Sequence, residues 1–342
     1  DARLDNYSAD IGFSAFEIDL FGRVRSLTQA ALESYLATEE GARATRIAMI
    51  AETASAYATL AADQDLLALA RQTQASAQRT LDLTRTLNAA GLAGKLDVHQ
   101  AETIVEQAAS DVAATVTQVA QDRNALDLLA GAPVEDALLP QSLDSLISGI
   151  ARVPAGLSSD ILLQRPDVLQ AEHQLKAANA DVGAARAAMF PTISLTSAIG
   201  VASTALSSLF GSDAFGWSAS PSASLPIFGG PNRGNLDYSK AQRDLYLAQY
   251  EKAIQTAFQE VADGLARAGT IDAQQVAQRR LVIASSRAYD LAEQRYRAGI
   301  DTFLTALNSQ RSLYNAQQSA IATDLALVNN RVLLYRVIGA DQ

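Results

Sequence analysis

The sequence predicts a mainly α-helical protein with a small β part, in which long antiparallel coiled-coil helices occur in two similar copies. Residues 52–131 align without gaps with residues 260–339, which indicates that one structural unit was duplicated. Residues 24–87 contain no proline, and at about 1.5 Å per residue they can form roughly 96 Å of helix. Residues 215–227 alternate apolar and small polar side chains, as a β-strand does.

The composition excludes several classes of function. Half of the chain is hydrophobic (49%), and much of that fraction is alanine, which favours thin, closely spaced helices. The net charge of −10, without a compensating cluster of lysine and arginine, argues against a nucleic-acid partner. The absence of cysteine excludes disulfides and thiol chemistry in this chain. The sequence contains no run of 18 apolar residues, so no transmembrane helix is predicted.

The first copy begins with a strand and continues as a helical hairpin. Residues 8–20 alternate and then change parity, which predicts a strand with a β-bulge. A helix over 24–87 is followed by a glycine-containing turn at 88–95. The second helix, at about 97–130, keeps heptad spacing that only Asp122 interrupts, so we expect a coiled coil.

The second copy repeats this order after a connector. Residues 131–158 are rich in proline and glycine and predict a connector with at most a short helix near 143–147. The elements expected after it are a helix from 165–167 to 188, strands at 191–202 and 215–227, and helices at 235–297 and 302–338. We therefore divide the chain into a first repeat at 1–150 and a second at 151–342. The helix and strand that should open the first repeat are expected upstream of Asp1.

The predicted strands have the length and the two faces of transmembrane β-strands. Each spans about ten residues, and a β-strand crosses a bilayer in about 9–11. A strand of a soluble sandwich alternates in the same way. On the strands at 191–202 and 215–227 the polar face carries serine, threonine and glycine without charges, and Phe215 and Trp217 at one end are typical of an interfacial aromatic girdle.

Several long motifs carry a resemblance to a known family. They are FEIDLFGRVRSL at 16–27, SYLATEE at 34–40, VAQDRNAL at 119–126, LLQRPDVLQAEHQLKAANADVGAARAAMFPTISL at 162–195, AQYEKAIQTAFQEVADGLA at 248–266 and RYRAGIDTFLTALNSQRSLYNAQQ at 295–318. With these motifs the chain resembles TolC-type outer-membrane efflux ducts of the branch that serves multidrug resistance-nodulation-division pumps. The motifs extend through nearly the whole chain in family order.

The resemblance implies a homotrimer in the outer membrane of a Gram-negative bacterium. Each protomer of such a duct contributes four strands to a shared 12-stranded transmembrane β-barrel, and the helices form an α-barrel in the periplasm. The branch usually carries an N-terminal lipid anchor, so a lipoprotein is expected. The implied partners are a periplasmic adaptor (membrane fusion) protein, an inner-membrane pump of the resistance-nodulation-division class and outer-membrane lipid. The implied function is a passive, porin-like exit for drugs and small molecules.

The resemblance also assigns roles to the two helix turns. The turns that contact the adaptor correspond to Gly91, Leu92 and Ala93 and to Gly299, Ile300 and Asp301. Glycine permits the left-handed backbone that ends a helix, and a small exposed apolar residue can fit between partner helices. The reading that applies without the resemblance is that both are only turns.

A pore gate is expected just beyond the second turn. Tyr296 and Arg297 match residues that latch the closed helix ends in the family, although an ordinary coiled-coil surface is the alternative. Leu304 and Asn308 match a ring of apolar side chains beside a ring of carboxylates. The asparagine departs from that pattern, and three amides attract cations less than three carboxylates.

No enzymatic group is required and none is evident. His99 and His173 lie in different repeats without a metal-like constellation, so neither a metal nor a cofactor is predicted. Within the same class, the alternatives are a duct for metal-cation efflux or type I secretion. The alternative of another class is a soluble periplasmic coiled-coil scaffold, which would not need a lipid-facing sheet.

Overall fold

The computed structural model describes residues 6–152 and 160–338, which belong to two compact units. Unit 1 contains the chain up to Arg43 and Pro166–Gln255, and unit 2 contains Ala44–Arg165 and the chain from Thr256 onward. Two long helices, α1 (Arg23–Ala89) and α6 (Gly230–Arg297), contribute residues to both units. Each unit therefore combines residues from both predicted repeats.

Unit 1 contains an antiparallel sheet with the order β1-β2-β3, formed by Tyr7–Ile18, Thr192–Ser203 and Phe215–Ser224. The pairing of β1 with β2 shifts register between Phe13 and Phe16, which confirms the predicted bulge. Within the bulge Ala15 adopts φ 54°, and its backbone N–H donates to Thr196 Oγ1 at 3.1 Å. The extra residues explain the change of parity, because both phenylalanines stay on one face.

The register gives the sheet one apolar and one small polar face. Ile11 pairs with Ile199, which pairs with Trp217 on the far strand. The opposite face pairs Ala198 with Ser218 and continues on β2 and β3 through serine, threonine and glycine, while β1 adds Asp10 opposite Gly200 and Glu17 opposite Ser194. Trp217 is 73% exposed, so none of the described residues covers the apolar face there.

Two boundaries differ from the sequence prediction by three or more residues. The strand expected to continue to 227 ends at Ser224, because its partner strand begins at Thr192 and Pro226 has no N–H to donate. The helix expected from 235 begins at Gly230. Pro231 lies in its first turn, where a backbone N–H would have no helical partner in any case.

The helices of unit 1 pack closely because their contacting residues are small. Helix α5 (Pro166–Ala187) buries mainly alanine, and a Cβ added at Gly183 would approach Ser26 Oγ of α1 to 2.9 Å. His173 of α5 contacts Glu33 of α1, with Nδ1 and Oε2 at 2.6 Å. This contact holds the pKa of Glu33 below its ordinary value.

Unit 2 consists of helices packed along their lengths. It contains the rest of α1 and α6 together with α2 (Lys95–Ala130), α3 (Leu143–Gly149), α4 (Asp160–Leu163) and α7 (Phe303–Ile338). A core of Ala58, Ala61, Ala62, Leu143, Val328 and Val332 joins α1, α3 and α7. The short helix expected at 143–147 is thus confirmed and slightly longer, while residues 153–158 of the predicted connector lie outside the described residues.

Candidate functional site

The two predicted turns adopt the same left-handed glycine conformation. Gly91 follows α1 with φ 75°, and Gly299 follows α6 with φ 71°. A Cβ added at either glycine would meet no atom within 4 Å. Both positions are therefore constrained by backbone conformation and open to their surroundings.

Equivalent backbone hydrogen bonds close the two turns. Leu92 N–H donates to the Leu87 carbonyl at 2.8 Å, and Ile300 N–H donates to the Arg295 carbonyl at 2.9 Å. A bond of this kind satisfies a carbonyl of the last helical turn, which has no partner within the helix. The two turns therefore share the same backbone hydrogen bonding.

The side chains that stabilise the two turns differ in charge. In the first turn Asn88 Nδ2 donates to the Ala93 carbonyl at 2.7 Å. In the second turn Arg295 binds Asp301 through two contacts, Nε to Oδ2 at 2.5 Å and Nη2 to Oδ1 at 3.2 Å. These hydrogen bonds hold the pKa of Asp301 below its ordinary value, and they bind its carboxylate within the turn.

Each turn exposes two apolar side chains at equivalent positions. Leu92 and Leu96 are 76% and 68% exposed, and Ile300 and Leu304 are 62% and 51% exposed. Ala93, the third residue predicted in the first turn, is half-buried. Both tips therefore present a pair of exposed apolar side chains.

The structure places Tyr296 and Arg297, the predicted latch residues, in different surroundings. Tyr296 is buried, with its hydroxyl 3.2 Å from Thr84 Oγ1 and its ring centroid 5.4 Å from that of Phe303. Burial raises the pKa of Tyr296. Arg297 is exposed and binds Glu293 Oε1 at 2.6 Å, one turn earlier on α6.

Leu304 and Asn308 lie on the exposed face of α7, one helical turn apart. The opposite face is buried through Phe303, Ala306 and Leu307, which pack in the core that also contains Tyr296. The structure therefore brings Leu304 and Asn308 together on one surface and places Tyr296 on the other side of the helix pair.

The sequence places Asn88 in the first turn, but neither its hydrogen bond to Ala93 nor the pairing of Arg295 with Asp301 was predicted. The internal repeat masks them, because Leu87 is the counterpart of Arg295, and Tyr296 is the counterpart of Asn88. A charge pair spanning the turn, Arg295 with Asp301, was the available signal.

The histidines lie in carboxylate contacts. His99 Nδ1 is 2.9 Å from Glu102 Oε2, which belongs to a carboxylate that also accepts a hydrogen bond from Arg85. Within residues 6–152 and 160–338 no group of three or more potential ligands could hold a metal ion. In the same part of the chain, no helix combines the length and apolarity that a bilayer-crossing helix needs.

Duplicated helical hairpins that continue into a sheet with one apolar face define a class of outer-membrane channel. The sequence profile of the outer membrane efflux protein family matches residues 1–132 and 157–340. The chain belongs to this family.

The relatives agree with the family assignment. The probable efflux pump outer membrane protein TtgC of Pseudomonas putida is 50% identical over 335 residues, which cover 97% of this chain and 69% of that protein. The solvent efflux pump outer membrane protein SrpC of the same species is 46% identical over 340 residues, covering 99% of this chain and 72% of that protein.

A solved structure confirms the similarity in three dimensions. The open state of the MtrE outer membrane channel of Neisseria gonorrhoeae superposes with a TM-score of 0.85 at 36% identity, covering 98% of this chain and 75% of that one. The chain is thus the outer-membrane channel component of an efflux pump and acts in the outer membrane. This assignment favours the channel over the alternative of a soluble periplasmic scaffold.

Proposed function

We propose that this protein is the trimeric exit duct of a tripartite efflux pump and passively conducts drugs and other small molecules to the exterior. The observation that carries the proposal is the largely apolar face shared by β1, β2 and β3. The opposite face is formed mainly by serine, threonine, glycine and alanine, with Asp10 and Glu17 on β1. The exposed apolar face suits lipid, and the polar face opposite it suits a water-filled interior.

The open sheet supports assembly into a shared barrel. Among the described residues neither β1 nor β3 has a partner on its outer edge. Unpaired backbone groups cannot remain unsatisfied in lipid, so both edges require further strands. A fourth strand from each of three protomers would close the 12-stranded barrel that the family resemblance implies.

The turn geometry supports docking of a periplasmic adaptor at both helix tips. Exposed Leu92 and Ile300 form equivalent apolar patches at the two turns, and the glycines beside them leave the space above them open. Two equivalent patches per protomer match a partner that presents helical hairpins around a ring. The adaptor would in turn connect the duct to an inner-membrane pump of the resistance-nodulation-division class.

The exposed pair Leu304 and Asn308 supports a constriction near the second turn. Three copies of Leu304 around a threefold axis would form an apolar ring, and three copies of Asn308 a neutral polar ring. Arg297 is the exposed member of the predicted latch and remains a candidate for contacts that close the helix ends. Tyr296 would act indirectly, through the packing of α6 against α7.

Conductance in planar bilayers tests the constriction. Leu304→Ser should raise single-channel conductance, because a smaller polar side chain widens and wets the apolar ring. Leu96→Ser changes the equivalent exposed leucine of the first turn and should leave conductance unchanged. Equal conductance of Leu304→Ser and the unsubstituted protein would refute the assignment of the gate.

Extraction tests the membrane assignment more directly. The protein should partition into detergent and resist carbonate, since the sheet is embedded in lipid. Recovery in the carbonate supernatant would contradict an outer-membrane duct.

Relatives are described as antibiotic and solvent efflux proteins, which supports small apolar molecules as cargo here. No contact in the described residues favours metal-cation efflux or type I secretion.

A further inference from the structure

Asp63 of α1 and Asp122 of α2 form a pair of carboxyl groups in the interface between these two helices. Asp122 occupies a heptad position that is apolar along most of α2. Its Oδ1 accepts a hydrogen bond from Gln118 Nε2 at 3.2 Å. Its Oδ2 is buried and accepts no hydrogen bond from an N–H or hydroxyl group.

Asp63 interacts directly with Asp122 across the helix pair. Two carboxyl groups can form a hydrogen bond with each other only when one of them is protonated. Burial raises the pKa of Asp63 to about 7, and the hydrogen bond and the negative charge of Asp122 add to that effect.

In the described part of the chain, the charge that acts on Asp63 is that of Asp122. Asp65, two residues further along α1, instead accepts the Leu143 N–H at 3.0 Å and faces α3 and α7. Several charged groups on neighbouring elements form ion pairs of their own, such as Arg123 with Asp136, and Arg279 with Asp144 and Asp324.

The second repeat has the same interface without titratable groups. The residues equivalent to Asp63 and Asp122 are Ile271 and Asn330, and both are buried. The helix pair can therefore be built with a neutral contact at this position. Repeat one carries two carboxyl groups where the fold does not demand them.

We propose that Asp63 and Asp122 share one proton and form a pH-sensitive link between α1 and α2, which is strong in acid and weakens towards neutral pH. Loss of the shared proton places two carboxylates in contact within a poorly solvated interface. The folded pKa of Asp63 lies above its ordinary value of 3.8, so the stabilisation is fully present below about pH 4. It decreases as the pH rises and is lost above about pH 7.

Hydrogen exchange measured by mass spectrometry tests the link on the whole protein in detergent. Between about pH 5 and about pH 7.5, peptides near Asp63 and Asp122 should lose about tenfold in protection beyond the change in intrinsic exchange rate. Linkage allows up to tenfold per pH unit for one proton, and we discount this because the pair is only partly buried. Peptides around Ile271 and Asn330 serve as the internal control and should show no such loss.

Two variants separate the shared proton from general packing. Asp63→Asn retains the shape but cannot ionise, so the extra loss of protection should disappear. The double variant Asp63→Ile/Asp122→Asn copies the second repeat and should give the same pH-independent protection. Protection in the unsubstituted protein that follows intrinsic exchange alone, or an unchanged pH dependence in Asp63→Asn, would overturn the proposal.

Discussion

A bulky side chain at either helix turn should abolish drug resistance without unfolding the protein. Gly91→Trp and Gly299→Trp place an indole where a partner would dock on the turns. The control is Gly131→Trp, since Gly131 ends α2 with φ 74° and is equally open, but does not lie at a turn between paired helices.

The magnitude follows from the backbone. The three glycines have φ between 71° and 75°, and an added Cβ meets nothing within 4 Å at any of them. The intramolecular cost is therefore the left-handed strain of a non-glycine residue, about 1–2 kcal/mol, and it is the same for all three variants. Any difference in function between turn and control must arise from what the tryptophan contacts outside the protomer.

Complementation of a strain that lacks its efflux channel provides the assay. Minimum inhibitory concentrations should fall to the level of the empty strain for Gly91→Trp and Gly299→Trp and remain near the unsubstituted level for Gly131→Trp. Gly91→Ala and Gly299→Ala introduce the same backbone strain without a bulky side chain and should retain resistance. The amount of each variant in the outer-membrane fraction controls for folding.

The result that would refute docking at the turns is equally clear. Full resistance in both tryptophan variants would mean that nothing approaches Gly91 or Gly299 closely. An equal loss in Gly131→Trp would attribute the effect to backbone strain, and docking would no longer be needed to explain it.

Three further substitutions test the sheet and the core near the second turn. Gly12→Ala should reduce the amount of protein in the outer-membrane fraction, because the new Cβ would lie 2.2 Å from the Ser197 carbonyl oxygen on the paired strand. Tyr296→Phe removes the hydroxyl contact with Thr84 and should cost about 1 kcal/mol of unfolding free energy in thermal denaturation. Phe303→Ala empties a fully buried site and should cost about 3–5 kcal/mol in the same measurement, so equal costs for the two would contradict this packing.

The sequence predicted the elements of the fold closely because their signals are local. A proline-free stretch, glycine at each turn and heptad spacing located the long helices to within two or three residues at most ends. The change of parity between Ala15 and Phe16 predicted the bulge, since side chains alternate along a strand without reference to its partners. The predicted start of α6 is wrong by five residues, because Pro231 does not precede the helix but lies in its first turn.

The candidate site was only partly readable in the same way. The sequence identified the turn glycines, Leu304 and Asn308 by position. The equivalent conformation of the two turns is visible only in the backbone of the structure. The burial of Tyr296, beside the exposed Arg297, could not be predicted because it depends on which face of α6 packs against α7. Pairing across distant segments, as for Glu33 with His173, is likewise absent from any local pattern.

By itself, the sequence determined the duplication, the helical hairpins, the positions of their turns and the two-faced strands, because periodicity and backbone preference act over a few residues. Only the tertiary structure decided which strands pair, which turn carries an ion pair and which carboxyl groups meet inside the helix interface. Those choices depend on contacts between residues far apart in the chain, such as Asp63 and Asp122. Their free energies are set by burial and by the neighbouring charge, which the order of residues does not reveal.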